Sequence, residues 1–239
     1  MISTTPASRT GSAREAVAAT VAGGALAAVT GSLVGLAAPA AVVGGLNGYI
    51  GGRRGVYGWR TPKGVAAFVL DSTWALVSTA ASLVSHGVAA AQRDPGYSPE
   101  LSHRHNRHVY ARGLQLRRGF AITFGGVVNG AGDLSRPRRV KLITDHEDVH
   151  VWQSRWFGPA YVVLYTGWMA GGAMAGALAW LVTGRTQPLA KSVETYAYYL
   201  NPFEWWAYSR DDFWPPTGKL DGVGWKRPAV RSFSSSGSR

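Results

Sequence analysis

Between Ala16 and Gly52 the chain carries no charged side chain and consists almost wholly of Ala, Gly, Val and Leu. Such a run exceeds the ~20 residues one helix needs to cross a bilayer's hydrocarbon core. It must therefore fold back on itself, and either Thr30-Gly31-Ser32 or Pro39 can turn it into a tight hairpin. Glycines at 23, 24, 31, 35, 44, 45, 48, 51 and 52 remove the side chains that would hold two helices apart, the small-xxx-small arrangement of membrane helices. A loosely packed helical pair in water is the competing form. Arg9 and Arg14 precede the run as the basic start of a signal peptide would. The run continues well past the ~7–15 apolar residues of a cleaved peptide, which predicts retained membrane helices.

A second apolar stretch, Val65 to Ala91, is interrupted by Asp71 and His86. A lone acid there is costly unless it faces protein or water, so the stretch either spans or lies buried against the rest of the chain. Beyond it the character changes. Gln92-Arg93-Asp94-Pro95-Gly96 is a turn signal, and Phe120 to Phe124 reads as a short strand. Val140 to Trp156 reads as a helix stopped by Phe157-Gly158-Pro159. Ala160 to Val182 is a third apolar helix, interrupted at Gly171-Gly172, and 188–210 holds two short aromatic helices separated by Asn201-Pro202. The expected fold is mainly α with a small β element, with Gly/Ala-rich membrane helices followed by a minimal zincin-like α+β domain. The expected organisation is a disordered 1–14, an apolar helical region 15–92, an HExxH domain 93–212 that includes helix 160–182, and an extended or disordered tail 213–239.

The formal charge is +12 although only 16% of residues are charged. The cations flank the apolar runs, which points to a membrane protein rather than a nucleic-acid binder. Basic loops at 53–63, 103–118 and 136–141 predict a bacterial cell-membrane location with these loops, and the HExxH helix, on the cytoplasmic side. There are no cysteines, so disulfides, cysteine nucleophiles and cysteine metal sites are excluded, and a metal must be held by His, Asp or Glu.

The chemistry-bearing motif is His146-Glu147-Asp148-Val149-His150. On a helix, positions i and i+4 share a face, so His146 and His150 can offer imidazoles to one Zn2+. Glu147 can serve as general base, the logic of HExxH hydrolases. Chance placement of the chain's six His and five Glu predicts only about 0.003 occurrences of the pattern. A surface helix with two solvated histidines is the plain alternative. Asp148 is unusual within such a motif and reads as a supporting carboxylate or as a sign of degeneration. Gln153 lies on the same face and is suited to orienting a ligand or substrate.

A catalytic zinc needs a third protein ligand and one open position. Downstream lie Glu194 and Glu204, with Asp211 and Asp212 as weaker candidates. Glu204 is the stronger of the glutamates, because the rigid start Asn201-Pro202 can aim it. The same residues also fit a capping box whose carboxylate only satisfies the helix start. For Glu204 to reach the histidines, the chain must fold back antiparallel to 160–182. His103, His105 and His108 alternate with arginines and read as a solvated basic loop facing anionic lipid headgroups rather than as a second metal site.

The order His146-Glu147-x-x-His150-x-x-Gln153, Gly158-Pro159, Tyr165, Asn201-Pro202-Phe203-Glu204-x-x-Ala207 resembles a bacterial group of uncharacterised, gluzincin-like HExxH metallopeptidases. Thr123-Phe124-Gly125 stands where that group has a strand with a Thr-x-Gly pattern. The resemblance covers residues 109–210. It implies His146, His150 and Glu204 as metal ligands and Glu147 as base, without implying a substrate. The expected function is a membrane-associated zinc hydrolase acting on a peptide or protein, with membrane lipid as partner, no nucleic acid, and Gly-rich helices able to mediate oligomers. The rival is a non-catalytic membrane or scaffold protein with a structural or vestigial metal site. A third form is a membrane-active glycine zipper with a protease-like tail.

Overall fold

The computed structural model describes residues 11–117 and 119–211. Most of the expected disordered N-terminus, the tail 213–239 and Asp212 lie outside the described residues. Ala13 and Arg14 already belong to a helix. The architecture is mainly helical with one three-stranded sheet, as the sequence predicts. The chain divides into two compact units, Met1–Pro159 and Ala160–Arg239. The first unit holds both the N-terminal apolar region and the HExxH helix, and helix 160–182 belongs with the second.

In the first unit, α1 (Ala13–Ser32) is capped by the Ser12 hydroxyl, which accepts the Glu15 N–H. The chain turns directly after Ser32, with Gly35 at φ 73°, and returns as α2 (Ala37–Arg53). Pro39 therefore lies in the first turn of α2, where a missing N–H costs nothing. The two helices touch backbone to backbone. A Cβ on Gly48 would sit 2.1 Å from the Ala19 carbonyl oxygen, and one on Gly44 2.3 Å from that of Gly23.

The second apolar stretch becomes α3 (Pro62–Ser72) and α4 (Leu76–Ala90), bent by 89° at the break. Thr73 marks the bend, its hydroxyl bonded back to the Val69 carbonyl, the kind of competition that ends or bends helices. After α5 (Pro99–Ser102) come β1 (His108–Val109), β2 (Ile122–Phe124) and β3 (Val127–Asn129), in the order β1-β3-β2. β2 and β3 form an antiparallel hairpin through Gly125-Gly126, and β1 pairs parallel to β3. Gly125, at φ 53°, supplies the left-handed backbone a two-residue hairpin needs.

The helix expected over 140–156 arrives in three pieces, α6 (Pro137–Lys141), a π-helical turn (Leu142–Glu147) and α7 (Asp148–Phe157). Ile143 and Val151 are buried with Val109, Val128 and Ala131, which seats this segment on the sheet. Gly158, at φ 52°, ends it as predicted.

In the second unit, α8 (Pro159–Val182) runs unbroken through Gly171-Gly172, contrary to the expected interruption. A glycine weakens a helix by about 1 kcal/mol but leaves its hydrogen-bond ladder intact. Gly172 instead admits the returning chain, since a Cβ there would lie 2.5 Å from the Tyr196 carbonyl oxygen. The return consists of α9 (Leu189–Glu194), a π-helical turn (Thr195–Tyr199) and α10 (Pro202–Arg210). It is pinned antiparallel to α8 by Ser192 Oγ donating to the Gly176 carbonyl at 2.8 Å and by Trp168 Nε1 to that of Tyr196 at 3.3 Å. Among the described residues α1 and α8 are long and apolar enough to cross a membrane.

Candidate metal centre

His146 and Glu147 close the π-helical turn and His150 sits in the first turn of α7. All three are buried, so the solvated-surface alternative does not describe them. The Nε2 atoms of His146 and His150 lie 3.3 Å apart. Two nitrogens at the ~2.0–2.1 Å zinc–imidazole distance with a tetrahedral angle between them are separated by about 3.3–3.4 Å. The spacing thus equals one edge of a zinc coordination tetrahedron. A π-helical turn inside an α-helix is a frequent mark of functional sites, and here it carries the first two residues of the motif.

Gln153 is fully buried, and its Oε1 lies 2.9 Å from His150 Nδ1. An amide oxygen can only accept, so Nδ1 carries the proton and Nε2 presents its lone pair. That is the tautomer a metal needs. Glu147 accepts a hydrogen bond on Oε2 from the Thr123 hydroxyl at 2.7 Å. Thr123 stands on β2, so the sheet orients the carboxylate of the motif.

Asp148 turns to cations. Arg107 Nη1 lies 2.5 Å from its Oδ1 and Lys63 Nζ 3.9 Å from its Oδ2. The extra carboxylate within the motif therefore serves an ion pair. Its partner Arg107 is itself buried, as is His108, which corrects the expectation of a wholly solvated loop over 103–108. His108 meets His86 edge to face at 4.5 Å. Burial, then the charges of His86 and Arg54, hold its pKa well below 6.5. His86 Nδ1 meets the Tyr110 hydroxyl at 2.9 Å, and that hydroxyl accepts from Arg54 Nη1 at 2.6 Å. A guanidinium at this position opposes a second cation site.

The residue that sequence reasoning missed is Arg155. It is 1% exposed and makes two hydrogen bonds to Asp71, Nε to Oδ1 and Nη2 to Oδ2, each 2.8 Å. Burial opposes its charge, and Asp71 more than compensates, so its pKa is raised. Tyr57 donates to the same carboxylate at 3.0 Å, and burial followed by the Asp71 charge pushes its pKa well up. The isolated acid of an apolar run was the available signal for a buried cation somewhere, though not for which one. The pair fixes α7 to α3.

In the second unit Glu204 is 2% exposed in the first turn of α10. Asn201 caps that helix, its Oδ1 accepting the Phe203 N–H at 3.0 Å. The reciprocal half of a capping box is not made, because the Asn201 N–H donates to the Tyr198 carbonyl. Glu204 Oε1 accepts instead from the Tyr165 hydroxyl at 2.6 Å. Tyr198 is pushed well above 10.0 by burial and next by the Glu204 charge. Glu194 ends α9 half-buried, and Asp211 is buried just past α10. No family model, curated protein or solved structure matches the chain.

Proposed function

We propose that this chain is a membrane-associated, zinc-dependent hydrolase of peptidase type, akin to the gluzincin-like group its motifs resemble. The observation that carries the reading is the 3.3 Å separation of the His146 and His150 Nε2 atoms, with Gln153 setting the ligand tautomer. Glu204 is proposed as the third ligand. His146 and His150 in the first unit and Glu204 in the second are each buried, and as ligands of one ion they would form a His/His/carboxylate donor set. Tyr165, on α8, holds one oxygen of Glu204 within the second unit. When bound, zinc would supply Lewis-acid polarisation of a substrate carbonyl and acidify a water. Glu147 Oε2 is held by Thr123, which leaves Oε1 to take the proton of the attacking water and pass it to the leaving amine. The basic loops favour the cytoplasmic face of a bacterial membrane.

A second reading, a structural metal in a non-catalytic scaffold, draws on the depth of the site, since closed zinc sites are structural ones and Glu147 is itself only 5% exposed. Metal content and proteolysis of a fluorescent casein by the purified full chain separate the two. The expected result is about one zinc per chain, lost in His146→Ala, retained in Glu147→Gln and Thr123→Val. Cleavage should vanish in Glu147→Gln and fall about tenfold in Thr123→Val. Zinc-free protein defeats both readings, whereas bound zinc with cleavage absent or unaffected by Glu147→Gln leaves the structural one.

A further inference from the structure

Helix α4 is inside out. Apart from Ala89, the side chains it buries are polar, Ser78, Thr79, Ser82, Ser85 and His86. The positions it turns outward are apolar, with Val77 51% and Val84 62% exposed, Gly87 exposed, and Ala80, Ala81 and Val88 half-buried beside them. A helix lying between protein and water shows the reverse pattern.

The inward polar groups are engaged within the first unit. Ser85 Oγ accepts from Asn129 Nδ2 at 3.2 Å, His86 meets Tyr110, and the Thr79 hydroxyl donates to the Asp71 carbonyl at 2.7 Å. The Ser78 carbonyl lies so close to the β2–β3 turn that a Cβ on Gly125 would be 2.3 Å from its oxygen. One side of α4 is therefore committed to the sheet, and the outer stripe needs an apolar medium.

Length and surroundings say which medium and at what depth. At 1.5 Å per residue the 15 residues of α4 cover about 22 Å, short of the ~30 Å hydrocarbon core. α3 meets it at 89° and does not extend it. Carrying α4 across the core would draw the adjoining sheet, with its open edges, into lipid, where unpaired backbone groups are not tolerated. Trp74, 51% exposed, precedes α4 and exposed Arg93 follows it. Both residue types favour the headgroup level.

We infer that α4 lies in the plane of the bilayer, its Val77–Val84–Val88 stripe at the boundary between acyl chains and headgroups, with the sheet on the aqueous side. The same surface then meets the end of the HExxH helix, because Trp74 Nε1 donates to the Trp156 carbonyl at 3.1 Å and Trp156 is 59% exposed. The inference stands whether or not the site binds zinc.

The absence of cysteine makes the test direct. Val77→Cys, Ala81→Cys, Val84→Cys and Val88→Cys are each labelled with an environment-sensitive fluorophore in the full chain. The chain is reconstituted in phosphatidylcholine–phosphatidylglycerol vesicles that carry spin-label quenchers at headgroup or deep acyl positions. All four should emit blue-shifted relative to Glu100→Cys on α5 and be quenched to the same extent at one shallow depth. Depth increasing steadily along the four positions would establish a span and overturn the inference. So would emission as in water, or blue-shifted emission that no lipid-borne quencher reaches, which would mean protein covers the stripe.

Discussion

The α1–α2 hairpin and the α3–α4 pair are both helical pairs cut from apolar sequence, yet opposite forces hold them. The hairpin has no charge between Ala16 and Gly52 and is joined by shape, with glycine backbones in direct contact. The α3–α4 pair is held by polarity, with the Thr79 hydroxyl of α4 on the Asp71 carbonyl of α3, the Asp71–Arg155 ion pair tying α3 to α7, and a row of buried hydroxyls along α4. Hydropathy scores the two alike because it counts how much apolar surface there is and not which way it faces. The first pair closes on itself along its glycines and meets the rest of the unit at Ala19 and Asn47. The second needs the sheet and α7, and through them it fixes the candidate centre.

Breaking the ion pair gives the largest expected effect. Asp71→Ala leaves the Arg155 guanidinium buried without its counter-charge, which typically costs about 3–5 kcal/mol. Denaturant unfolding in detergent micelles should show that loss, and the double variant Asp71→Leu/Arg155→Met should recover most of it, since apolar replacement of a whole buried pair is often neutral. A loss in the double variant as large as in the single would mean that the pair is held for its own energy. Zinc content of the double variant then reports whether α7 keeps its geometry without the tie.

A glycine contrast comes next. Gly48→Ala in the hairpin places a methyl 2.1 Å from the Ala19 carbonyl oxygen and should cost about 1–3 kcal/mol by overpacking. Gly87→Ala in α4 meets nothing within 4 Å. It should be neutral or stabilise by up to about 1 kcal/mol through helix propensity. Equal effects at the two positions, in the same unfolding measurement, would remove the distinction between a shape-held and a polarity-held pair.

Much of this was legible in the sequence, and the reasons differ by region. The hairpin could be read because uncharged small residues leave few alternatives, although the exact turn could not, since Pro39 is as acceptable inside a helix's first turn as at its break. The HExxH face could be read from spacing alone, whereas the π-helical turn beneath it depends on packing against Val109 and Val128. Asp148 looked like part of the site because the motif surrounds it. Its partners, Lys63 and Arg107, come from segments far away in sequence, as does Arg155 for Asp71, and no local pattern announces them. For Glu204 the sequence left capping and metal binding both open, and the fact that bears on capping, that the Asn201 N–H is already satisfied by the Tyr198 carbonyl, belongs to the π-helical turn before it.

The smallest effect concerns pH and separates the two helical pairs once more. The hairpin contains no titratable histidine or acid between Ala16 and Gly52, whereas α4 faces buried His108 with its own His86. The folded-state pKa of His108 is depressed well below 6.5, first by burial. The unfolded chain therefore binds a proton near pH 6.5 that the folded chain refuses. Stability contributed by neutral His108 is complete above that value and declines as the pH falls below it, by at most about 1.4 kcal/mol per pH unit for one such group. Unfolding followed from pH 7.5 to 5.5 should show the decline in the native sequence and a shallower one in His108→Gln. An unchanged slope would assign the titration to another group and would leave the polar face of α4 without a measurable electrostatic signature.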